Sequence, residues 1–135
     1  MKFLLDTNIV CEPLRPQPDA DCVAWLQSQD PRFLATSTIT LAEIWQGVVN
    51  LARSDKRRPI LMRFSENLPR VFRMLRFDER AAMAWGEITR RGAPPLPVRD
   101  SLIAAIALSR KLTVVTRDVG PFDRAGVRTR NPFAK

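Results

Sequence analysis

Four acids in this 135-residue chain stand where short apolar runs end or helical patterns begin: Asp6 in LLDTNI, Glu43 in ITLAEIW, Asp100 in VRDSLIAAIA and Asp118 in VVTRDVGPF. Donors of this kind suit hard cations. Mg2+ and Mn2+ take oxygen ligands, and carboxylates gathered without histidine or thiolate repel one another unless a cation neutralises them. The chain has no histidine, which excludes Ser-His-Asp and Cys-His nucleophile systems, histidine acid–base pairs and histidine-ligated metal sites. Any chemistry must be led by carboxylates. With 22 Lys and Arg against 14 Asp and Glu, the formal charge of +8 favours a polyanionic partner or an acidic protein surface. For acids holding a metal beside such a surface, the natural substrate is a phosphodiester.

Each acid also has an ordinary structural alternative. Asp6 can cap the helix that follows it. Glu43 shares a helix face with Gln46, Gly47 and Asn50, as a solvated surface glutamate would. Asp100 suits the dipole of the helix it opens, yet its i+3, i+4 and i+7 neighbours are Ile103, Ala104 and Ala107, an apolar side that an unpaired carboxylate avoids. Asp118 and Asp123 both suit turns.

The elements that must position these acids follow from patterning. Phe3-Leu4-Leu5 reads as a buried strand ending in the polar tip Asp6-Thr7-Asn8. Asp19 caps a predicted helix reaching Gln29, with Val23, Trp25 and Leu26 inward, and Phe33 to Thr36 is a second strand. From Ser37 or Thr38 a helix presents Leu41, Ile44, Trp45, Val48, Val49 and Ala52 as a core-facing stripe. Pro59 to about Leu68 reads as helix and Met74 to Phe77 as strand. A helix from Asp78 ends at Gly92, a Pro-rich loop spans Ala93 to Pro97, and helix resumes at Val98 or Arg99 up to Lys111. Thr113 to Thr116 is a β-branched strand, and Val127 begins a possible last one.

Strands alternating with helices predict an α/β fold, a parallel sheet with helices on both faces and ligands at the carboxyl ends of the strands. The length fits one domain over residues 1–135. Cys11 and Cys22 lack CxxC spacing and are expected to be reduced and structural. No apolar run approaches the about 18–20 residues of a membrane span, and no charged-then-apolar leader precedes Asp6, so a soluble, cytoplasmic protein is expected. The stretch Arg53 to Arg76 places eight basic residues against Asp55 and Glu66. It can contact a polyanionic backbone or be a solvated face, while Ile60, Leu61, Phe64 and Leu68 within it can form a surface for a second copy or another protein.

LLDTNI, LAEI, PLPVRDSLIAAIAL and VVTRDVGPFDRAGVRTRNPF, in this order over the whole chain, resemble the PIN-domain ribonucleases, most closely the VapC-type toxins of toxin–antitoxin pairs. The resemblance implies a three-layer α/β/α sandwich around a parallel sheet, a homodimer, a cognate antitoxin and no membrane. It further implies Mg2+ or Mn2+ as cofactor and cleavage of RNA to a 5′-phosphate and a 3′-hydroxyl. By motif position Asp6, Glu43 and Asp100 take the three core acidic roles, and Thr7, Asn8 and Thr116 match polar groups that line the site. Thr7 and Asn8 are equally at home as caps, and Thr116 as a strand end.

The chain departs from the family at the fourth acid. Where many relatives carry an acid just before the phenylalanine, this chain has Pro121, and where they carry asparagine after TR it has Asp118. Asp118 is the expected replacement and Asp123 the reserve; a three-acid site of weakened activity is the remaining alternative. The expected metal ligands are Asp6, Asp100 and Asp118, with Glu43 completing the catalytic acids. Two other functions compete with a metal-dependent endoribonuclease toxin. One is an aspartyl-phosphate phosphohydrolase using Asp6, disfavoured because LLDTNI lacks a second Asp two residues on. The other is a catalytically weak or silent PIN-fold module that binds RNA or an antitoxin.

Overall fold

The computed structural model describes residues 1–133. Five short strands form one parallel sheet: β1 (Phe3–Leu5), β2 (Leu34–Ser37), β3 (Arg73–Leu75), β4 (Thr113–Val115) and β5 (Thr129–Arg130), in the order β3-β2-β1-β4-β5. Register places Leu4 beside both Ala35 and Val114. β1 is thus the central strand, its three residues are all buried, and this double burial explains why it is a continuous apolar run.

Among the described residues seven α-helices cover the sheet: α1 (Thr7–Cys11), α2 (Ala20–Ser28), α3 (Thr38–Val49), α4 (Arg57–Val71), α5 (Glu79–Ile88), α6 (Val98–Ser109) and α7 (Gly120–Arg124). Because strand side chains alternate faces, Leu4 and Val114 pack with Ile103, Ile106 and Phe122 on one side, where α5 to α7 lie. Phe3, Leu5 and Val115 pack with Ile9, Trp25, Ile44 and Leu68 on the other. Two apolar cores around one parallel sheet make the expected three-layer sandwich. Among the described residues, no helix is long and apolar enough to cross a membrane.

Several boundaries differ from the sequence-based expectation. The helix expected from Pro59 to Leu68 runs from Arg57 to Val71 and contains Pro69, tolerated near an end because the following turn is the last. The expected helix to Gly92 stops at Ile88, and Gly92 instead takes a positive φ of 88° in the turn beyond, a conformation that favours glycine. The last strand begins at Thr129 rather than Val127, and Arg73 to Leu75 replaces Met74 to Phe77. The α3 stripe is narrower than expected: Ile44 and Val48 are buried, whereas Trp45 and Val49 are 39% and 50% exposed. Trp45 borders a groove of about 450 Å³ with Leu41 and Pro69, where α4 lies alongside α3. On α4, Leu68 is buried and Phe64 packs against the core, so of the four apolar residues considered for a partner surface those two are internal, while Ile60 is exposed.

Candidate active site

In an open parallel sheet, a crevice forms at the carboxyl ends of neighbouring strands whose connections leave in opposite directions. Here that point lies between β1, which is followed in the chain by β2 on one side, and β4, which pairs on its other side. Asp6 follows β1 directly and Thr116 follows β4. Asp6 is 6% exposed and caps α1, its Oδ1 accepting from the Thr7 amide at 2.8 Å. The structure therefore retains the capping alternative alongside a site role. Asp6 Oδ2 accepts from the Thr116 hydroxyl at 2.8 Å and from the Asn8 amide nitrogen at 3.5 Å.

Thr116 and Asn8 form the floor between the two strands. The Thr116 oxygen accepts from Asn8 Nδ2 at 3.3 Å and from the Asp118 backbone N–H at 3.1 Å, and Asn8 Oδ1 accepts from the Arg117 N–H at 3.1 Å. The loop that carries Asp118 is thereby tied to the loop after β1. The Arg117 guanidinium lies 4.7 Å over the Phe133 ring.

Glu43 comes from the middle of α3, where Ser37 caps the helix by accepting from the Thr40 amide. The Thr7 hydroxyl donates to Glu43 Oε2 at 2.7 Å, so Glu43 is held toward the site rather than displayed as an ordinary surface glutamate. Asp100 lies in the first turn of α6, is 7% exposed, and is followed along its own face by buried Ile103, Ala104 and Ala107. Arg99 bridges these two acids: Nη1 donates to Glu43 Oε1 at 2.6 Å and Nη2 lies 3.7 Å from Asp100 Oδ1. Sequence reasoning passed over Arg99. Its signal was a cation at the second residue of a helix, where the dipole disfavours positive charge.

The electrostatics link the acids. Burial pushes the Asp100 carboxyl above its ordinary value, the nearby charge of Asp6 adds to this, Arg99 opposes it, and Asp118 pushes it up again. Burial likewise raises Asp6, against the hydrogen bonds from Thr116 and Thr7, and the charge of Glu43 raises it further. Asp6, Glu43, Asp100 and Asp118 thus share one electrostatic neighbourhood. Asp118 and Asp123 are both exposed, but Asp123 lies in α7 and accepts from the Thr129 hydroxyl at 2.8 Å. It is helical rather than part of the surface turn expected from the sequence. Cys11 and Cys22 form no disulfide, and burial pushes both thiols up to about 11, which leaves them unreactive.

The donor set tests the fit of a metal ion. Among the described residues no three acids stand as a closed ligand group; Glu43 and Asp100 face the Arg99 guanidinium instead. The chemistry nevertheless suits a hard cation: the donors are oxygen only, two of them are buried with their charge disfavoured, and a cation needing several waters requires few protein ligands.

Comparison with known proteins adds an independent line. The family model described as PIN domain matches residues 3–127. The chain is 38% identical over 136 residues to the toxin FitB of Neisseria gonorrhoeae, covering 97% of this chain and 98% of FitB. It is 32% identical over 137 residues to the VapC ribonuclease Y4jK of Sinorhizobium fredii, covering 97% of each. A solved structure of FitAB bound to an IR36 DNA fragment superposes with a TM-score of 0.88 at 38% identity, covering 98% of this chain and 96% of that one.

Proposed function

This chain belongs to the PIN domain family, and on that premise we propose that it is an endoribonuclease, the toxin of a toxin–antitoxin pair, using Mg2+ or Mn2+ held by Asp6, Asp100 and Asp118. The observation that carries the reading is the electrostatic influence between acids far apart in the chain, Asp6 and Asp118 on Asp100 and Glu43 on Asp6, with Asp6 at the switch point between β1 and β4. Asp6 and Asp100 are buried and their charge is disfavoured, a cost that a fold retains where the charge serves a ligand. The names of the relatives point to the same activity: one is a VapC ribonuclease and another a toxin.

When bound, the ion supplies Lewis-acid polarisation of a phosphoryl oxygen and an acidified water. The protein groups do the rest. Thr116 and the α1 amide at Thr7 fix both oxygens of Asp6; Thr7 orients Glu43, whose carboxylate is placed to accept a proton from the attacking water. Asn8 and Thr116 hold the Asp118 loop against the strand edge. The exposed basic residues of α4 and its approach offer phosphate contacts along the RNA.

For partners we propose a second copy of the chain and an antitoxin whose C-terminal segment offers Arg or Lys to the acids. The acceptance of a guanidinium between Glu43 and Asp100 supports that chemistry. The function is tested by sequencing the 5′ ends of RNA fragments made by the purified protein, with Asp6→Asn as control. Discrete 5′-phosphate ends that vanish in the variant are expected. Identical fragments from both proteins would overturn the reading, and no cleavage by the parent chain would leave a silent binding module in its place.

A further inference from the structure

Arg99 carries features that an incidental surface ion pair does not. It stands at the second residue of α6, where the helix dipole opposes a cation, so its position needs a compensating interaction. That compensation comes from two acids on different helices, Glu43 on α3 and Asp100 on α6 itself, at 2.6 and 3.7 Å. The planar guanidinium is suited to such a span. Its partners are poorly hydrated, the Glu43 side chain being 27% and the Asp100 side chain 10% exposed, which strengthens the contact beyond that of an exposed pair.

The arrangement engages both oxygens of Glu43, one from Thr7 and the other from Arg99. Anchored on Glu43, the Arg99 guanidinium stays beside Asp100, a proposed metal ligand, until that anchor is released. Release needs no backbone movement: the Arg99 side chain is 51% exposed and borders an open groove of about 450 Å³ with Ile39, Gln46 and Leu102.

We propose that Arg99 is a positioning residue that serves as a built-in counter-cation, holding Glu43 and Asp100 together until a divalent ion displaces it, and so sets how tightly the site takes Mg2+ or Mn2+. The inference rests on the metal-site reading above. Arg99 acts through the two carboxylates: it keeps a repulsive acid pair assembled without metal, and its departure is a cost subtracted from ion binding.

Calorimetric titration with Mn2+ alone, without RNA, tests this on the full chain and on Arg99→Gln, Arg99→Lys and Asp100→Asn. Arg99→Gln should bind Mn2+ about fivefold or more tightly than the parent, the scale of one partly buried ion pair. The gain should be smaller in a Glu43→Gln background, because that change already loosens the anchor that holds Arg99 beside Asp100. Arg99→Lys keeps the charge and should lie closer to the parent, which keeps the test decisive if the glutamine variant folds poorly. Unchanged or weaker Mn2+ binding in Arg99→Gln, with parent binding lost in Asp100→Asn, overturns the inference and leaves the metal site standing. No Mn2+ binding by any of the proteins overturns both.

Discussion

The Thr116 hydroxyl donates to Asp6 Oδ2 at 2.8 Å, joining residues 110 positions apart at the ends of adjacent strands, and the same oxygen accepts from the Asp118 N–H at 3.1 Å. One buried hydroxyl thus sets the rotamer of Asp6 and the path of the loop that carries Asp118. Its register follows from the pairing of Leu5 with Val115 one residue earlier on each strand.

Thr116→Val, nearly the same shape, should therefore lower cleavage at least about tenfold and stability by about 1–2 kcal/mol, since Asp6 and the Asp118 amide each lose a buried partner. Thr116→Ser should recover most of both. Turnover and urea unfolding measured on the three proteins check this, and a fully active valine variant would reduce Thr116 to a strand end.

Cleavage should require Mg2+ or Mn2+ and stop with excess chelator, because the described site holds no group that can act as a neutral-pH base of the histidine kind. Asp6→Asn, Glu43→Gln and Asp100→Asn should each reduce it by at least roughly tenfold while the fold survives. Turnover kept in EDTA, or in all three variants, would contradict the mechanism.

Asp118→Asn should reduce Mn2+-dependent turnover more than Asp123→Asn. Both acids are exposed, but Asp118 contributes to the field at Asp100, whereas Asp123 is engaged with Thr129. Rates at saturating Mn2+ decide between them: a larger loss at Asp123 would move the fourth role there.

A pH dependence follows from the raised carboxyl of Asp100. Its folded-state value lies above the ordinary 3.8, so between the two values the folded chain binds more protons than the unfolded one, and this group's contribution to stability falls as pH rises through that window. Above it the cost is complete. In EDTA at neutral pH, Asp100→Asn should accordingly unfold a few degrees above the parent, with the difference shrinking toward acid pH. Added Mn2+ should raise the parent's melting temperature and leave the variant's unchanged. An asparagine variant less stable than the parent at neutral pH in EDTA would contradict the assignment.

Much of this architecture was legible along the chain because it depends on local periodicity. The run Phe3-Leu4-Leu5 is apolar throughout because β1 is buried on both faces, and the stop at Asp6 marks the carboxyl end of the strand. The Ile103, Ala104 and Ala107 spacing placed Asp100 on a buried helix face before any contact was known. Strand–helix alternation was enough to infer a parallel sheet and to locate its ligand-bearing edge.

Other features depend on which elements become neighbours, and no local pattern encodes that. Trp45 fits the α3 stripe by periodicity, yet it is exposed because the core contacts only the narrower face holding Ile44 and Val48. Glu43 shares its helix face with polar residues and reads locally as solvated; only the approach of α1 brings Thr7 to it. Asp118 and Asp123 both suit turns in sequence; the different contacts they make, the Asp118 amide to Thr116 and the Asp123 carboxylate to the Thr129 hydroxyl, come from tertiary packing. Arg99 met Glu43 only through the crossing of α3 and α6, 56 residues apart in the chain. Periodicity reports which side of an element is apolar. The identity of the charge across the gap is set by tertiary packing, and it is that charge which decides whether an acid is a cap, a surface group or part of a site.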